Sequence, residues 1–135
     1  MSTLESTAVI FSDLKAAREV EEKVLCEVAA CGYSEASCFA IKLAIEESLN
    51  NAIRHGNGYD SNKRVRVGCQ IDPQRVCIIV ADEGDGFDPA SVPDPTANEN
   101  LEKPHGRGIM LMQAYMDEVH FNKKGNEVRL IKRNN

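Results

Sequence analysis

The sequence has no tryptophan, and phenylalanine and tyrosine bring the aromatic share to only 5%. It also has no apolar run near the roughly 20 residues that cross a bilayer. The segment from Met1 to Thr7 lacks the charged start and apolar stretch of a secretory signal. These absences disfavour a membrane or exported protein, and we expect a cytoplasmic location without a membrane partner.

An excess of positive charge is missing as well. Sixteen lysines and arginines stand against 21 aspartates and glutamates, which gives a net charge of -5. A protein whose main partner is nucleic acid needs a basic surface to neutralise phosphates, and the basic clusters here are short. We therefore do not expect direct nucleic-acid binding.

The cysteines show neither a disulfide framework nor a zinc-site pattern. The chain has five of them, an odd number, and none form a CxxC pair. Each falls in an apolar or amphipathic run, which favours buried free thiols in a reducing compartment. They are Cys26, Cys31, Cys38, Cys69 and Cys77.

What is present indicates one globular domain over residues 1–135. With 42% apolar and 27% charged residues in 135, the chain has the composition and length of a single hydrophobic core. Apolar periodicity and capping residues predict helices from Asp13, from about 35 to 55 and from about 107 to 116. Period-two alternation and turn residues predict strands at 7–11, 64–71, 75–82, 119–121 and 128–132.

Residues 87–105 interrupt this pattern. Four of the chain's five prolines lie there among Asp, Asn, Ser and Glu. A loop of this length inside a compact domain is typically a lid, a binding loop or disorder. We interpret it as a lid and expect a ligand site beside it.

The second predicted helix carries a polar constellation at the edge of its apolar face. At about 100° per residue, Glu47, Asn51 and His55 follow one stripe along this edge, while Glu46 and Asn50 point to the solvated face. A carboxylate can accept the proton of a nucleophile, and an amide oxygen one turn away can bind a hydrated Mg²⁺ ion. An amphipathic helix with polar residues at its margin explains the same pattern without a function.

Asp82, Gly84 and Gly86 follow the predicted buried strand at 75–82. An aspartate at a strand end can accept a hydrogen bond from an exocyclic amine, and the glycines allow a ligand close to the backbone. An ordinary acidic turn is the alternative.

A second glycine group stands where the lid ends, at His105, Gly106, Arg107 and Gly108. Glycines just before a helix expose N–H groups at its positive end, which suits phosphate oxygens, and Arg107 can add a charged contact. A flexible hinge with a solvated arginine is the alternative here.

Together, in this order and spacing, these motifs resemble the ATP-binding domain of the GHKL superfamily, which includes gyrase and the histidine kinases. The pair Glu47-xxx-Asn51 is similar to its N box, Asp82-x-Gly84-x-Gly86 to its first glycine box and Gly106-x-Gly108 to its second. Within the superfamily, nearly the whole chain resembles the small anti-sigma-factor serine kinases of bacteria. A histidine kinase would need an upstream pair of dimerisation helices, and we expect none.

The resemblance implies an α+β fold: a two-layer α/β sandwich of the Bergerat type, with about three helices on one face of a mixed, mostly antiparallel sheet. It implies ATP and Mg²⁺ as cofactors and a lid over about 87–105. Glu47 would be the general base, Asn51 the Mg²⁺ ligand and Asp82 the partner of the adenine amino group. The remaining nucleotide contacts would be His55, Gly84, Gly86, His105, Gly106, Arg107 and Gly108.

The implied activity is ATP-dependent phosphorylation of a serine or threonine on an anti-anti-sigma antagonist. A separate surface would hold a sigma factor, and a homodimer is also implied. The sequence departs from the family pattern in two places: the third box reads Gly125-Asn126-Glu127 instead of Gly-Thr-Thr, and Ser48 replaces a common alanine. A module that sequesters a partner, with or without nucleotide regulation, is the alternative hypothesis, and a stand-alone ATPase is a third.

Overall fold

The computed structural model describes residues 4–84 and 104–134, and in the helix that begins at Pro104 it describes side chains from Ile109 onward. These residues form five strands, three α-helices and a π-helical turn. In chain order they are β1 (Leu4–Phe11), α1 (Leu14–Ala30), α2 (Glu35–Asn51), the π-turn (Ala52–Gly56), β2 (Arg64–Ile71), β3 (Arg75–Asp82), α3 (Pro104–Tyr115), β4 (Glu118–Phe121) and β5 (Glu127–Arg133).

Capping residues fix the starts of α1 and α2. The Asp13 carboxylate accepts a hydrogen bond from the Lys15 N–H at 3.0 Å, and Ser34 Oγ accepts one from the Ser37 N–H at 3.1 Å. Each satisfies an N–H that has no partner inside its helix. Gly32 follows α1 with φ +86°, a conformation that glycine adopts at little cost. The predicted starts of both helices are confirmed.

The strands form a single sheet in the order β1-β2-β3-β5-β4. All four neighbouring pairs are antiparallel, so the sheet, which we expected to be mixed but mostly antiparallel, is antiparallel throughout the described pairs. Both predicted hairpins, β2–β3 and β4–β5, are present. The α+β fold with three helices is confirmed.

Alternation along the strands puts the core between the sheet and the helices. In β2, Val65, Val67 and Ile71 are buried, whereas Arg64 and Arg66 are exposed on the opposite face. The largest side chains with less than 2% exposure come from both layers and include Ile41, Ile45, Leu49, Ile53, Ile71, Ile78, Met112 and Leu130. The two layers therefore share one hydrophobic core.

The third helix begins earlier than the sequence predicts. It starts at Pro104 instead of about residue 107, so the last two residues of the predicted loop at 87–105 belong to the helix. Proline suits a first helical turn because the N–H that it lacks would have no partner there. The rest of the predicted lid, residues 87–103, lies outside the described residues.

All five cysteines are free thiols, as predicted, but they are not all buried. Cys69 and Cys77 are buried, Cys31 and Cys38 are half-buried, and Cys26 is exposed on α1. The prediction of burial was wrong for Cys26, because an amphipathic helix carries apolar residues beyond its buried stripe. Among the described residues, no helix is long and apolar enough to cross a membrane.

Candidate functional site

A pocket opens between α2, α3 and the sheet, and it collects the polar residues of two predicted motifs. Asn51, His55 and Asp82 line it together with Asn126 and Glu127 from the β4–β5 hairpin. Its apolar wall comes from both layers and consists of Ala52, Val80, Ile109, Met112, Phe121 and Val128. Pockets with an apolar wall and a few convergent polar groups are typical of small-molecule sites.

Glu47 lies one helical turn before Asn51 on α2 and is half-buried. Burial, and after it the negative charge of Glu46, raises the pKa of the Glu47 carboxyl, while Arg54 acts in the opposite direction. A carboxylate with a raised pKa is a stronger base than an exposed one. Glu47 is not part of the pocket lining itself, so it sits beside the pocket on the same helix as Asn51.

The structure corrects the prediction for the neighbouring Glu/Asn pair. Glu46 and Asn50 were predicted to face solvent, but they are half-buried and line a groove against α1 together with Glu21. Glu21 is only 6% exposed and shares a side-chain hydrogen bond with Glu46. Periodicity located the apolar arc of α2 but could not show that α1 covers its second edge.

The π-turn after Asn51 brings the backbone against the end of β3. The Asn57 N–H donates to the Ala52 carbonyl at 2.8 Å, the wide spacing of a π-helix, and such turns occur often at functional sites. A Cβ on Gly56 would stand 2.3 Å from the carboxyl carbon of Asp82. Any larger residue here would displace the Asp82 carboxylate, and the predicted site did not include Gly56.

Asp82 ends β3 with its carboxylate held by the turn that follows. The Gly84 N–H donates to Asp82 Oδ1 at 2.8 Å, which leaves the other oxygen for a ligand. Burial raises the pKa of Asp82, while the Gly84 hydrogen bond and then Lys124 and Lys63 lower it. A Cβ on Gly84 would lie 1.9 Å from the Gly56 carbonyl oxygen, so this glycine is required for backbone packing.

Asn57 is a second residue that sequence reasoning missed. It is 2% exposed, and its Nδ2 donates to Ser12 Oγ and to the Arg64 carbonyl, both at 3.0 Å. Its Oδ1 accepts from the Glu83 N–H at 2.9 Å. One buried amide therefore ties the π-turn to the α1 start, to β2 and to the residue after Asp82. Its place two residues after His55, the last residue of the predicted polar stripe, was the one sequence signal for it.

The other predicted nucleotide contacts lie in or next to the part of the chain that the structure does not describe. Gly86 lies outside it, and Gly106 and Gly108 lie inside the first turns of α3 and not before the helix. The side chains of His105 and Arg107 fall outside the described residues. Their proposed contacts with phosphate stay predictions.

Ser48 connects α2 with α3 inside the core. It is 3% exposed, and its hydroxyl donates to the Ala44 carbonyl at 2.7 Å and lies 3.0 Å from the Met112 sulfur. The hydroxyl of Ser48 therefore has hydrogen-bond partners in the core, and a serine can stand where the resemblance led us to expect an alanine.

The donor set of the pocket fits an adenine nucleotide with Mg²⁺. The carboxylate of Asp82 can accept an amino group, the apolar wall can cover a purine ring, and glycine at positions 56 and 84 lets the backbone lie close to Asp82. Within the described ranges, no three His, Cys, Asp or Glu side chains converge to hold a metal alone. In proteins Mg²⁺ is usually held by one or two protein oxygens together with water and substrate phosphates, and Asn51 can supply one such oxygen.

Comparison with known proteins gives consistent matches. The sequence model described as "Histidine kinase-like ATPase domain" matches residues 10–132. A serine-protein kinase RsbW of Bacillus licheniformis is 36% identical over 99 residues, which cover 66% of this chain and 60% of that protein. An anti-sigma F factor of Clostridium novyi is 34% identical over 82 residues, which cover 58% of this chain and 57% of that protein. The chain thus spans about three fifths of the length of these curated relatives.

A solved structure shows the same fold. The crystal structure of the RsbU and RsbW domains of a Mycobacterium tuberculosis protein superposes with a TM-score of 0.62. The match covers 98% of this chain and 32% of that chain, at 20% sequence identity.

Proposed function

The chain belongs to the family of histidine kinase-like ATPase domains, and from this premise we propose that it is an ATP-dependent protein serine/threonine kinase. The observation that carries the proposal is the convergence of Asn51, His55 and Asp82 on one pocket. Glu47, a half-buried carboxylate, stands one turn away on the same helix as Asn51. In this proposal Asp82 would recognise the base, Asn51 would hold the metal and Glu47, beside the pocket, would take the proton.

Each end of the pocket would bind a different part of the nucleotide. Asp82 would accept the exocyclic amine of adenine, because Gly84 occupies one of its two carboxylate oxygens and leaves the other free to accept. Asn51 would hold Mg²⁺ through its amide oxygen, and His55 would face the phosphates. The bound ion would supply charge neutralisation of the transferring phosphoryl group.

Glu47 would act on the acceptor. A serine or threonine hydroxyl becomes a competent nucleophile when its proton passes to a nearby base, and the raised pKa of Glu47 suits that role. The oxygen of the acceptor would then attack the γ-phosphorus while ADP leaves. Glu46 faces α1 instead and would take no part in this step.

The relatives named serine-protein kinase RsbW and anti-sigma F factor support a more specific proposal. The acceptor would be an anti-anti-sigma protein, and a separate surface would bind a sigma factor in the cytoplasm. The net charge of -5 favours association with a basic partner surface.

The test uses Glu47→Gln, which keeps the size of the side chain and removes the base. We expect phosphoryl transfer from labelled ATP to a candidate anti-anti-sigma protein from the same genome to fall by about a hundredfold or more. ATP affinity should change little. Glu46→Gln is the matched control and should keep transfer within a few-fold of wild type.

The outcomes separate kinase from sequestering module. Equal transfer by wild type and Glu47→Gln would remove Glu47 from the mechanism. Tight sigma-factor binding without any transfer to the antagonist would favour a module that sequesters its partner.

A further inference from the structure

Asn126 belongs to the β4–β5 turn, yet it contacts the other wall of the pocket. It stands in the third box, where this sequence departs from the family pattern. Its Nδ2 donates to the Gly84 carbonyl at 3.5 Å, and its own carbonyl accepts from the Asp82 N–H at 2.9 Å. The backbone of Asn126 therefore binds the end of β3, and its side chain binds the turn that follows β3.

These contacts close a ring of hydrogen bonds around Asp82. The Gly84 N–H donates to Asp82 Oδ1 at 2.8 Å, which joins the turn to the carboxylate. Asp82, Gly84 and Asn126 are thus joined by three hydrogen bonds, of which the one from Asn126 Nδ2 to Gly84 is the longest. Because the ring includes Oδ1, the direction of the remaining carboxylate oxygen depends on the position of Gly84, which Asn126 holds.

Asn122 fixes the orientation of the Asn126 amide. Its Nδ2 donates to Asn126 Oδ1 at 2.8 Å, which requires the oxygen of Asn126 on that side and its NH₂ group towards Gly84. The Oδ1 of Asn122 accepts from the N–H groups of Gly125, Asn126 and Glu127 at 2.7, 3.1 and 3.3 Å. The turn and the amide are therefore held by one side chain.

We infer that Asn126, oriented by Asn122, is a positioning residue that sets the selection of adenine over guanine nucleotides through Asp82. Both polar groups of the Asn126 side chain are engaged within the protein, so it would act through Asp82 and not by reading the base itself. Adenine presents an amine to a carboxylate, whereas guanine presents a carbonyl oxygen at the same place. A carboxylate held in one direction binds the amine of adenine and repels the carbonyl oxygen of guanine. A carboxylate that rotates freely discriminates less between the two bases.

The inference rests on the proposed nucleotide site, and its test measures binding instead of catalysis. The dissociation constants of Mg-ATP and Mg-GTP are measured by calorimetry for wild type, Asn126→Leu and Asn122→Asp. Asn122→Asp keeps an oxygen for the three turn N–H groups but loses the donor to Asn126. Asn134→Leu is the matched control, because Asn134 also donates to a backbone carbonyl, that of Pro73, away from the pocket.

We expect wild type to prefer ATP, and Asn126→Leu to reduce the ratio of ATP to GTP affinity by about tenfold. Asn122→Asp should reduce the ratio by a smaller factor, about threefold, and Asn134→Leu should leave it unchanged. A loss of overall stability would lower the affinity for both nucleotides by the same factor and would not change this ratio. Circular dichroism checks the fold of each variant.

Three results would overturn the inference. The first is an unchanged ratio of ATP to GTP affinity in a folded Asn126→Leu. The second is an equal affinity of wild type for both nucleotides. The third applies if Asn126→Leu does not fold, and it is an unchanged ratio in Asn122→Asp. In all three, ATP binding by wild type leaves the proposed kinase activity standing, although equal affinity for the two nucleotides would remove Asp82 as the adenine contact. Absence of ATP binding by wild type would instead overturn the proposed function and this inference together.

Discussion

At the scale of single residues, Gly56 controls the place of the Asp82 carboxylate. In Gly56→Ala the new Cβ would stand 2.3 Å from the carboxyl carbon and from one oxygen, so the carboxylate must move. We expect ATP affinity to fall by about tenfold or more, with a loss of unfolding free energy below about 2 kcal/mol because a side-chain end gives way. Gly68→Ala is the control, since a Cβ there meets nothing within 4 Å. Unchanged ATP affinity in Gly56→Ala would show that the close approach of Gly56 to Asp82 does not matter for nucleotide binding.

Glu21 gives a second prediction at this scale, on stability against pH. Burial, with the hydrogen bond and charge of Glu46, raises the pKa of Glu21 from 4.5 to about 7, against the opposite effect of Lys42. Between these values the folded chain holds a proton that the unfolded chain has lost, so stability decreases as pH rises through this window. Glu21→Gln removes the titration and should stabilise the protein on the order of 2 kcal/mol more at about pH 8 than at about pH 5.

Denaturant unfolding at the two pH values measures that difference. Exposed Glu19 on the same helix supplies the control variant, Glu19→Gln, which should follow wild type. Parallel pH profiles for Glu21→Gln and wild type would show that Glu21 does not hold a proton in the folded state.

At the scale of elements, Asn57 joins the π-turn to β2, to the start of α1 and to the residue after β3. Asn57→Ala removes three hydrogen bonds of a buried side chain and leaves the part-buried Glu83 N–H without this partner, which should cost about 2 to 3 kcal/mol of unfolding free energy. ATP affinity should also fall, because Glu83 directly follows Asp82. Exposed Asn62→Ala should stay within about 0.5 kcal/mol of wild type. A loss for Asn57→Ala as small as that of the control would contradict the role of this amide as a connector.

At the scale of the whole molecule, the two layers are predictable from sequence and their contact is only partly so. Period-two alternation located β2, an apolar run after a turn located β3, and Asp13 and Ser34 located two helix starts, because these signals are local. The groove between Glu46 and Glu21 and the approach of Gly56 to Asp82 depend on how elements pack, and no local pattern contains that information. The pocket itself joins α2, α3, β3 and the β4–β5 hairpin. The resemblance assigned Asn126 to the third box, but its contacts with Asn122 and Gly84 emerged only from the assembled fold.

The central claim is that this pocket binds ATP through Asp82. The most direct measurement is a calorimetric titration with ATP, with and without Mg²⁺, of wild type and Asp82→Asn. In the variant, Gly84 would still require an acceptor at one position, so the amide NH₂ would face the adenine amine, donor against donor. We predict Mg²⁺-dependent binding by wild type and a loss of about tenfold or more in Asp82→Asn. No binding at millimolar ATP, or equal affinity of the two proteins, would contradict the claim.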